Sequence, residues 1–129
     1  MSEILFRAKC TDDDMWVDGY ISKVEEHYVI SDDVGFGVYV NPETVGQFTG
    51  LTDKNNGAKI FEGAIIKGKF CNYVIWYDET ERAFVYGESY KGGYRHHMSD
   101  YLLKSAFPHG IEVIGNIHDN PELLGGGDK

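Results

Sequence analysis

Hydrophobic and polar residues alternate with a period of two along much of this chain, a pattern typical of β-strands that bury one face. In residues 15–23 the alternation predicts that Trp16 and Tyr20 share one face of a strand. Val17 and Ile21 would then lie on the opposite face. The same pattern predicts further extended segments at residues 4–9, 28–31, 36–40, 44–48, 82–86 and 111–117.

Apolar residues are densest in residues 65–77, which we interpret as one long strand. Val74 and Trp76 would face one way along it, and Tyr73 and Ile75 the other. A strand with apolar side chains on both faces has to be covered on both sides. We therefore expect this strand in the middle of its sheet.

Turn-forming residues separate the predicted strands. Residues 53–57 read Asp-Lys-Asn-Asn-Gly and predict a hairpin into residues 59–61, because Asn and Gly tolerate the positive φ of such turns. Pro42 ends the fourth strand, since proline cannot donate to a ladder. Gly68 is the point at which the long strand of residues 65–77 could break.

One short helix is predicted at residues 99–107, where Ser99 can cap the first turn. Its inward stripe would consist of Tyr101, Leu102 and Ala106. The glycine-rich residues 125–129 are expected to be a disordered tail.

Length and composition support the strand assignments. The chain has 129 residues, 42% of them hydrophobic and 14% aromatic, which suits one folded domain with a real core. Ile and Val total 20 residues against 11 for Leu and Ala, and β-branched residues favour strands over helices. An all-β or β-rich α+β domain is the class that this composition predicts.

The charge is acidic and unevenly distributed. Twelve Lys and Arg face 21 Asp and Glu, giving a formal net charge of −9. Residues 12–33 hold eight acidic side chains against Lys23 alone, whereas residues 91–104 are mainly basic. These stretches are either solvated loops or complementary patches that meet between subunits of a homo-oligomer.

Cys10 and Cys71 are the only cysteines, and their separation gives no zinc-binding spacing. The charged first residues do not fit a secretory segment, so both cysteines are expected to be reduced core thiols. The longest apolar run is residues 73–77, too short for a membrane-spanning helix.

A calcium loop is superficially suggested by Asp53, Asn55 and Gly57. The sixth position is Ala58 instead of glycine, and the twelfth is Ala64 instead of a bidentate glutamate. We therefore interpret this segment as a hairpin turn.

No catalytic constellation is visible. Glu62 and Asp78 are the best-placed carboxylates for acid–base chemistry, but both also fit the role of completing a turn. His96 and His97 are adjacent, so in a strand they point to opposite faces and cannot easily share a metal ion. The sequence predicts no catalytic residue, no metal and no cofactor.

One stretch combines basic and aromatic side chains and could bind a nucleic acid by stacking and charge. Its candidate binding residues are Tyr90, Lys91, Tyr94, Arg95 and His96. The acidity of the whole chain opposes such binding.

Five strings of the sequence carry a family resemblance, at residues 3–9, 16–20, 41–55, 59–63 and 112–124. The most specific is Thr-Val-Gly-Gln-Phe-Thr-Gly-Leu within residues 41–55. Together they resemble the YopX family, small proteins encoded by phages and prophages of bacteria. The match covers nearly the whole chain except about residues 86–107.

This resemblance implies a mainly β fold with a small, partly open, SH3-like β-barrel core, hairpin extensions and one or two short helices. It implies one domain over residues 1–124, with residues 86–107 as a variable insertion, and a role in the cytoplasm of a bacterial host. Ala64 departs from the family, which usually reads Glu-Gly-Asp at residues 62–64.

These observations favour a non-enzymatic accessory protein of a phage or prophage that acts by protein contact. Its partners would be further copies of itself and a host or phage protein. The alternative is a nucleic-acid-binding small β-barrel that uses residues 90–97. An enzyme built from dispersed carboxylates and histidines is a third interpretation.

Overall fold

A computed structural model of the chain describes residues 5–124, and for residues 100–102 it describes the backbone alone. The tail predicted at residues 125–129 lies outside the described residues. The chain forms two compact units, one up to Gly50 and one from Leu51. The mainly β prediction is confirmed, since strands are antiparallel throughout and one α-helix accompanies them.

The first unit is a curved antiparallel sheet with strand order β4-β3-β2-β1-β5. Its described elements are β1 (Phe6–Lys9), β2 (Trp16–Val24), β3 (His27–Ser31), β4 (Gly37–Val40), a 3-10 turn (Pro42–Thr44) and the start of β5 (Gly46–Thr52). A single bridge between Cys10 and Val40 brings the end of β4 back to the chain that follows β1. The sheet therefore curls on itself, but the described residues form no closed barrel.

The core of the first unit lies on one face of this sheet. Ala8, Ile30 and Val40 are buried there, and Val17 and Ile21 pack against them. These residues follow the predicted alternation, because Val17 pairs with Ala8 and Ile21 with Ile30 across the strands. The face that carries Trp16 and Tyr20 points away from this core.

Thr44 anchors the loop that enters β5. The Lys9 N–H donates to Thr44 Oγ1 at 2.9 Å, and this hydroxyl donates to the Asn41 carbonyl at 2.7 Å. Its side chain is buried, so it satisfies backbone groups that have no water available. This part of the family-like string therefore serves the scaffold.

The second unit contains a five-stranded antiparallel sheet of order β10-β9-β8-β7-β11. Its elements are β6 (Lys59–Phe61), β7 (Ala64–Lys67), β8 (Asn72–Asp78), β9 (Ala83–Gly87), β10 (His96–His97), α1 (Asp100–Ala106), β11 (Val113–Asn116) and a 3-10 turn (Pro121–Leu123). The hairpin predicted after residue 53 forms between the end of β5 and β6.

Strand β8 lies in the middle of its sheet, as predicted from its apolar content. Ile75 belongs to a buried cluster with Ile66 on one face. Val74 and Trp76 belong to a second buried cluster on the other face. Both faces are therefore covered by side chains of the same unit.

The long strand predicted over residues 65–77 is broken at Gly68, the point anticipated from the sequence, and the chain reverses there into the hairpin of β7 and β8. A Cβ atom at Gly68 would lie 2.2 Å from the Cys71 carbonyl oxygen, so the turn needs a residue without a side chain. Phe70 sits in this turn with 89% of its surface exposed.

The helix lies where the sequence placed it, one or two residues shorter. Its buried residue is Leu103, whereas Ala106, predicted to face inward, is exposed. The predicted positions Tyr101 and Leu102 lie among the residues described by backbone alone. None of the described residues forms a helix long and apolar enough to cross a membrane.

We expect Ile75→Ala to lower the free energy of unfolding by about 2–5 kcal/mol, because it opens a cavity in the central strand of the second unit. Urea unfolding followed by fluorescence or circular dichroism measures this loss. The matched control is Phe70→Ala, which removes a larger side chain from the surface and should change stability by only about 0.5 kcal/mol. Equal losses in both variants would contradict the assignment of the core.

Candidate functional site

The predicted binding residues Tyr90, Lys91, Tyr94, Arg95 and His96 lie on the connection between β9 and β10 and on β10 itself. The register places His96 opposite Tyr86 and His97 opposite Val85. His96 therefore lies on the edge strand of the sheet, and Tyr90, Lys91, Tyr94 and Arg95 lie on the connection that leads to it.

The two tyrosines of this segment differ in their surroundings. The Tyr90 ring contacts Trp76 edge-on at 6.1 Å between centroids, and the Lys91 ammonium lies 5.4 Å from the Tyr90 ring. Burial, and secondarily the charge of Glu62, raise the pKa of the Tyr90 hydroxyl. Tyr94 is 92% exposed. Only Tyr94 offers a free ring face for stacking on a base or on another ligand.

Arg95 is held by carboxylates. Its Nε lies 2.8 Å from Asp78 Oδ2 and 3.1 Å from Glu81 Oε2. Glu81 also lies within ion-pair distance of the His97 ring. The positive charge of Arg95 is thus balanced within the fold, which reduces what it can offer to a phosphate backbone.

A shallow cleft of about 240 Å³ lies beside this ion pair. Its wall combines the aromatic rings of Trp76 and Tyr77, the acidic Asp78 and Glu79, and the basic Lys91 and Arg95. Because two acidic and two basic residues share the wall, the cleft has no dominant sign of charge and does not favour an anion over a cation.

The best-placed carboxylates of the sequence are structural. Asp78 Oδ1 accepts the N–H groups of Thr80 and Glu81, and Glu62 Oε2 accepts the N–H of Tyr77. Both carboxylates therefore complete turns and strand ends, which is the structural role that the sequence also allowed. Among the side chains that the structure describes, no group of three or more potential ligands is arranged to hold a metal ion.

Asp53 closes the hairpin turn instead of coordinating calcium. Its Oδ1 accepts the N–H groups of Asn55 and Asn56, at 2.7 and 3.2 Å. Its Oδ2 accepts the N–H of Val113 at 2.7 Å, which ties the turn to β11. The carboxylate is buried, and these bonds, with Val113 as the strongest cause, hold its pKa below the usual value.

The first unit exposes a second candidate site, which the sequence did not single out. The register places Tyr20, Val24, His27, Val29 and Tyr39 on the same side of strands β2, β3 and β4. We call these five residues the outer face, because they lie opposite the buried cluster of the unit. The alternation of residues 15–23 predicted the two faces of β2 but did not show which one the core would cover.

The outer face exposes aromatic and aliphatic side chains, and Asp18, Ser22 and Ser31 lie on the same side of the sheet. The exposed fractions of Tyr20, Val24 and Tyr39 are 44%, 49% and 54%. The rings of His27 and Tyr39 contact each other at 5.1 Å between centroids. An exposed apolar surface bordered by polar residues is typical of a site of protein contact.

Acidic turns border the outer face at both ends of its strands. Glu25 and Glu26 form the turn between β2 and β3, and Asp32 and Asp33 begin the turn between β3 and β4. The whole first unit has ten acidic against three basic side chains. The apolar face is therefore surrounded by negative charge.

Comparison with known proteins identifies a family but no characterised relative. The family model described as YopX protein matches residues 2–125, nearly the whole chain. No curated protein matches the chain.

We expect Asp53→Asn to lower the free energy of unfolding by about 1.5–3 kcal/mol, because a buried ionised acceptor of three N–H groups is replaced by a neutral one. Because the folded-state pKa is lowered from 3.8, this stabilisation is present above that pH and is lost as the pH falls through the folded-state value. Urea unfolding between neutral and acidic pH measures both effects.

Glu79→Gln is the control for this experiment, since it removes a carboxylate from an exposed turn of the same unit. It should leave both the stability and its dependence on pH nearly unchanged. If Asp53→Asn were equally neutral, the carboxylate would not hold the turn against β11.

Proposed function

Since the chain belongs to the YopX family and its first unit exposes an apolar face, we propose that it is a non-enzymatic protein-interaction module. The outer face is the binding surface. Its partner is a basic protein segment that also carries apolar side chains. The single observation behind this proposal is an aromatic and aliphatic sheet face surrounded by acidic turns.

The apolar part of the surface supplies affinity. Tyr20 and Tyr39 present large rings with few rotatable bonds, and such side chains are favoured at the centre of protein interfaces. Val29 lies between them on β3, paired with Tyr39. A Cβ atom at Gly37 would lie 2.7 Å from Val29 Cγ1, so this glycine lets Val29 lean across β4. The side chains of the outer face are therefore already packed in the protein without a partner.

The acidic residues around the outer face determine the sign of the charge that a partner must carry. Acidic residues at the ends of β2, β3 and β4 attract a basic segment and accelerate its association. Two outer faces meeting in a symmetric dimer would instead bring two acidic units together. Charge therefore favours a basic partner over a second copy for this surface, and repels nucleic acid from it.

The family resemblance supports an accessory role during phage growth or lysogeny in a bacterial host. Self-association remains an expectation of the charge pattern, through surfaces other than two apposed outer faces. Sedimentation at low and high salt tests it, because association between complementary charged patches weakens as salt rises.

A labelled peptide of alternating Lys and Val tests the proposed function. We expect it to bind the full chain, and Tyr39→Ser to weaken binding about tenfold, because a buried aromatic contact contributes about 1.4 kcal/mol or more. Fluorescence anisotropy measures the affinity. Tyr94→Ser is the matched control, because it makes the same substitution at a more exposed tyrosine of the second unit.

Two further peptides separate charge from apolar contact. An alternating Glu and Val peptide should not bind, and an alternating Lys and Ser peptide should bind weakly and only at low salt. Equal binding of the acidic peptide, or equal losses in Tyr39→Ser and Tyr94→Ser, would contradict the proposal.

Nucleic-acid binding through residues 90–97 stays a prediction, and the exposed ring of Tyr94 is the observation that favours it. The ion pairs of Arg95 count against it. Titration with single-stranded and duplex oligonucleotides at low salt, with Tyr94→Ser as the variant, decides between the two candidates.

A further inference from the structure

The second unit contains a cleft of about 280 Å³ whose charged residues are mostly basic. Lys54 follows the hairpin strand β5, Lys67 and Lys69 flank the turn between β7 and β8, and His109 follows α1. Glu112 is the acidic residue of its wall. We call Lys54, Lys67, Lys69 and His109 the basic cleft. No sequence motif predicts the basic cleft, because its residues come from three separate segments.

Backbone hydrogen bonds hold those segments together. The Lys54 N–H donates to the Ile111 carbonyl at 2.9 Å, and the Lys67 N–H donates to the Glu112 carbonyl at 3.0 Å. Both lysines are therefore tied to the same short stretch between α1 and β11. This arrangement is preorganised, since forming it requires no further ordering of the backbone.

Gly110 allows Lys54 to approach this stretch. Its φ of +98° lies in the left-handed region, and a Cβ atom there would lie 2.8 Å from Lys54 Cβ. Any side chain at residue 110 would push Lys54 away from the cleft. The glycine in the turn after α1 therefore leaves room for Lys54 at the cleft.

The lysines of the cleft are held by no close ion pair, although the charge of Lys54 is one of the causes that lower the pKa of the neighbouring Asp53 carboxyl. Lys54, Lys67 and Lys69 form no ion pair with any side chain of the described part of the chain, and Lys69 makes its one described contact over the Phe70 ring. Arg95 in the same unit shows the opposite case, with two carboxylates at its guanidinium. Three lysine ammonium groups without a close ion-pair partner repel one another around this cleft and favour a bound anion.

We propose that the basic cleft binds a phosphate-class oxyanion. The lysine ammonium group is a compact charge with three donors, a common ligand of phosphate oxygens. The volume of the cleft suits one or two linked phosphate groups rather than a large ligand. The same chemistry is offered by free phosphate or pyrophosphate and by the phosphates of a nucleotide.

Isothermal titration of the full chain with pyrophosphate at low salt tests this proposal. We expect saturable binding that Lys54→Gln and Lys67→Gln each weaken about tenfold, the effect of losing one charge-assisted hydrogen bond. Lys104→Gln is the matched control, because it removes the same charge from an exposed site of the same unit outside the cleft. It should change the affinity less than twofold. Glu112→Gln should strengthen binding.

Two more ligands identify the source of the phosphate. If adenosine triphosphate and tripolyphosphate bind equally, the cleft recognises phosphate groups alone; if the nucleotide binds more tightly, the nucleoside also contributes. Both results support the proposal. Absence of binding up to about 10 mM pyrophosphate, or equal weakening by Lys104→Gln and Lys67→Gln, would overturn it, since the latter reports only the net charge.

Discussion

The second unit depends on one buried carboxylate. Asp53 accepts N–H groups from its own turn and from β11, so it joins the hairpin after β5 to a strand 60 residues later. A buried charge is tolerated only when hydrogen bonds replace its hydration, and here three backbone donors do so. Next to it, the Lys54 N–H bonds to the same distant segment. The position of the basic cleft therefore follows from the interaction that stabilises the turn.

Sequence periodicity predicted a strand correctly where its residue types show which of its faces are buried. The alternation around Trp16 and Tyr20 assigned the faces of β2 correctly, and the two apolar faces around Ile75 predicted a central strand. It could not decide between one long strand and a hairpin at Gly68. That reversal depends on the Cys71 carbonyl approaching the glycine, a contact between neighbours that periodicity does not describe.

The candidate sites were harder to predict than the fold, for physical reasons that differ. The segment at residues 90–96 looked basic because it contains Lys91, Arg95 and His96, but the carboxylate partners of Arg95 come from β8 and the following turn. The outer face looked like an ordinary strand pattern, since exposure depends on which side the core covers. Lys54 belongs to a different turn from Lys67 and Lys69, and the stretch that follows Gly110 joins the two segments by backbone hydrogen bonds.

The net charge of −9 is a sum over charged groups that have different roles in the two units. In the first unit most of the described acidic residues sit in turns at the ends of strands, and Asp18 lies on β2 itself, on the same side of the sheet as Tyr20. In the second unit Arg95 is balanced by two carboxylates, whereas Lys54, Lys67 and Lys69 line the basic cleft. Charges that are already paired stabilise the fold and recognise little, whereas unpaired charges held in place by backbone bonds can discriminate between ligands. By this criterion the two proposed recognition surfaces, the acid-bordered outer face and the basic cleft, would select ligands of opposite sign.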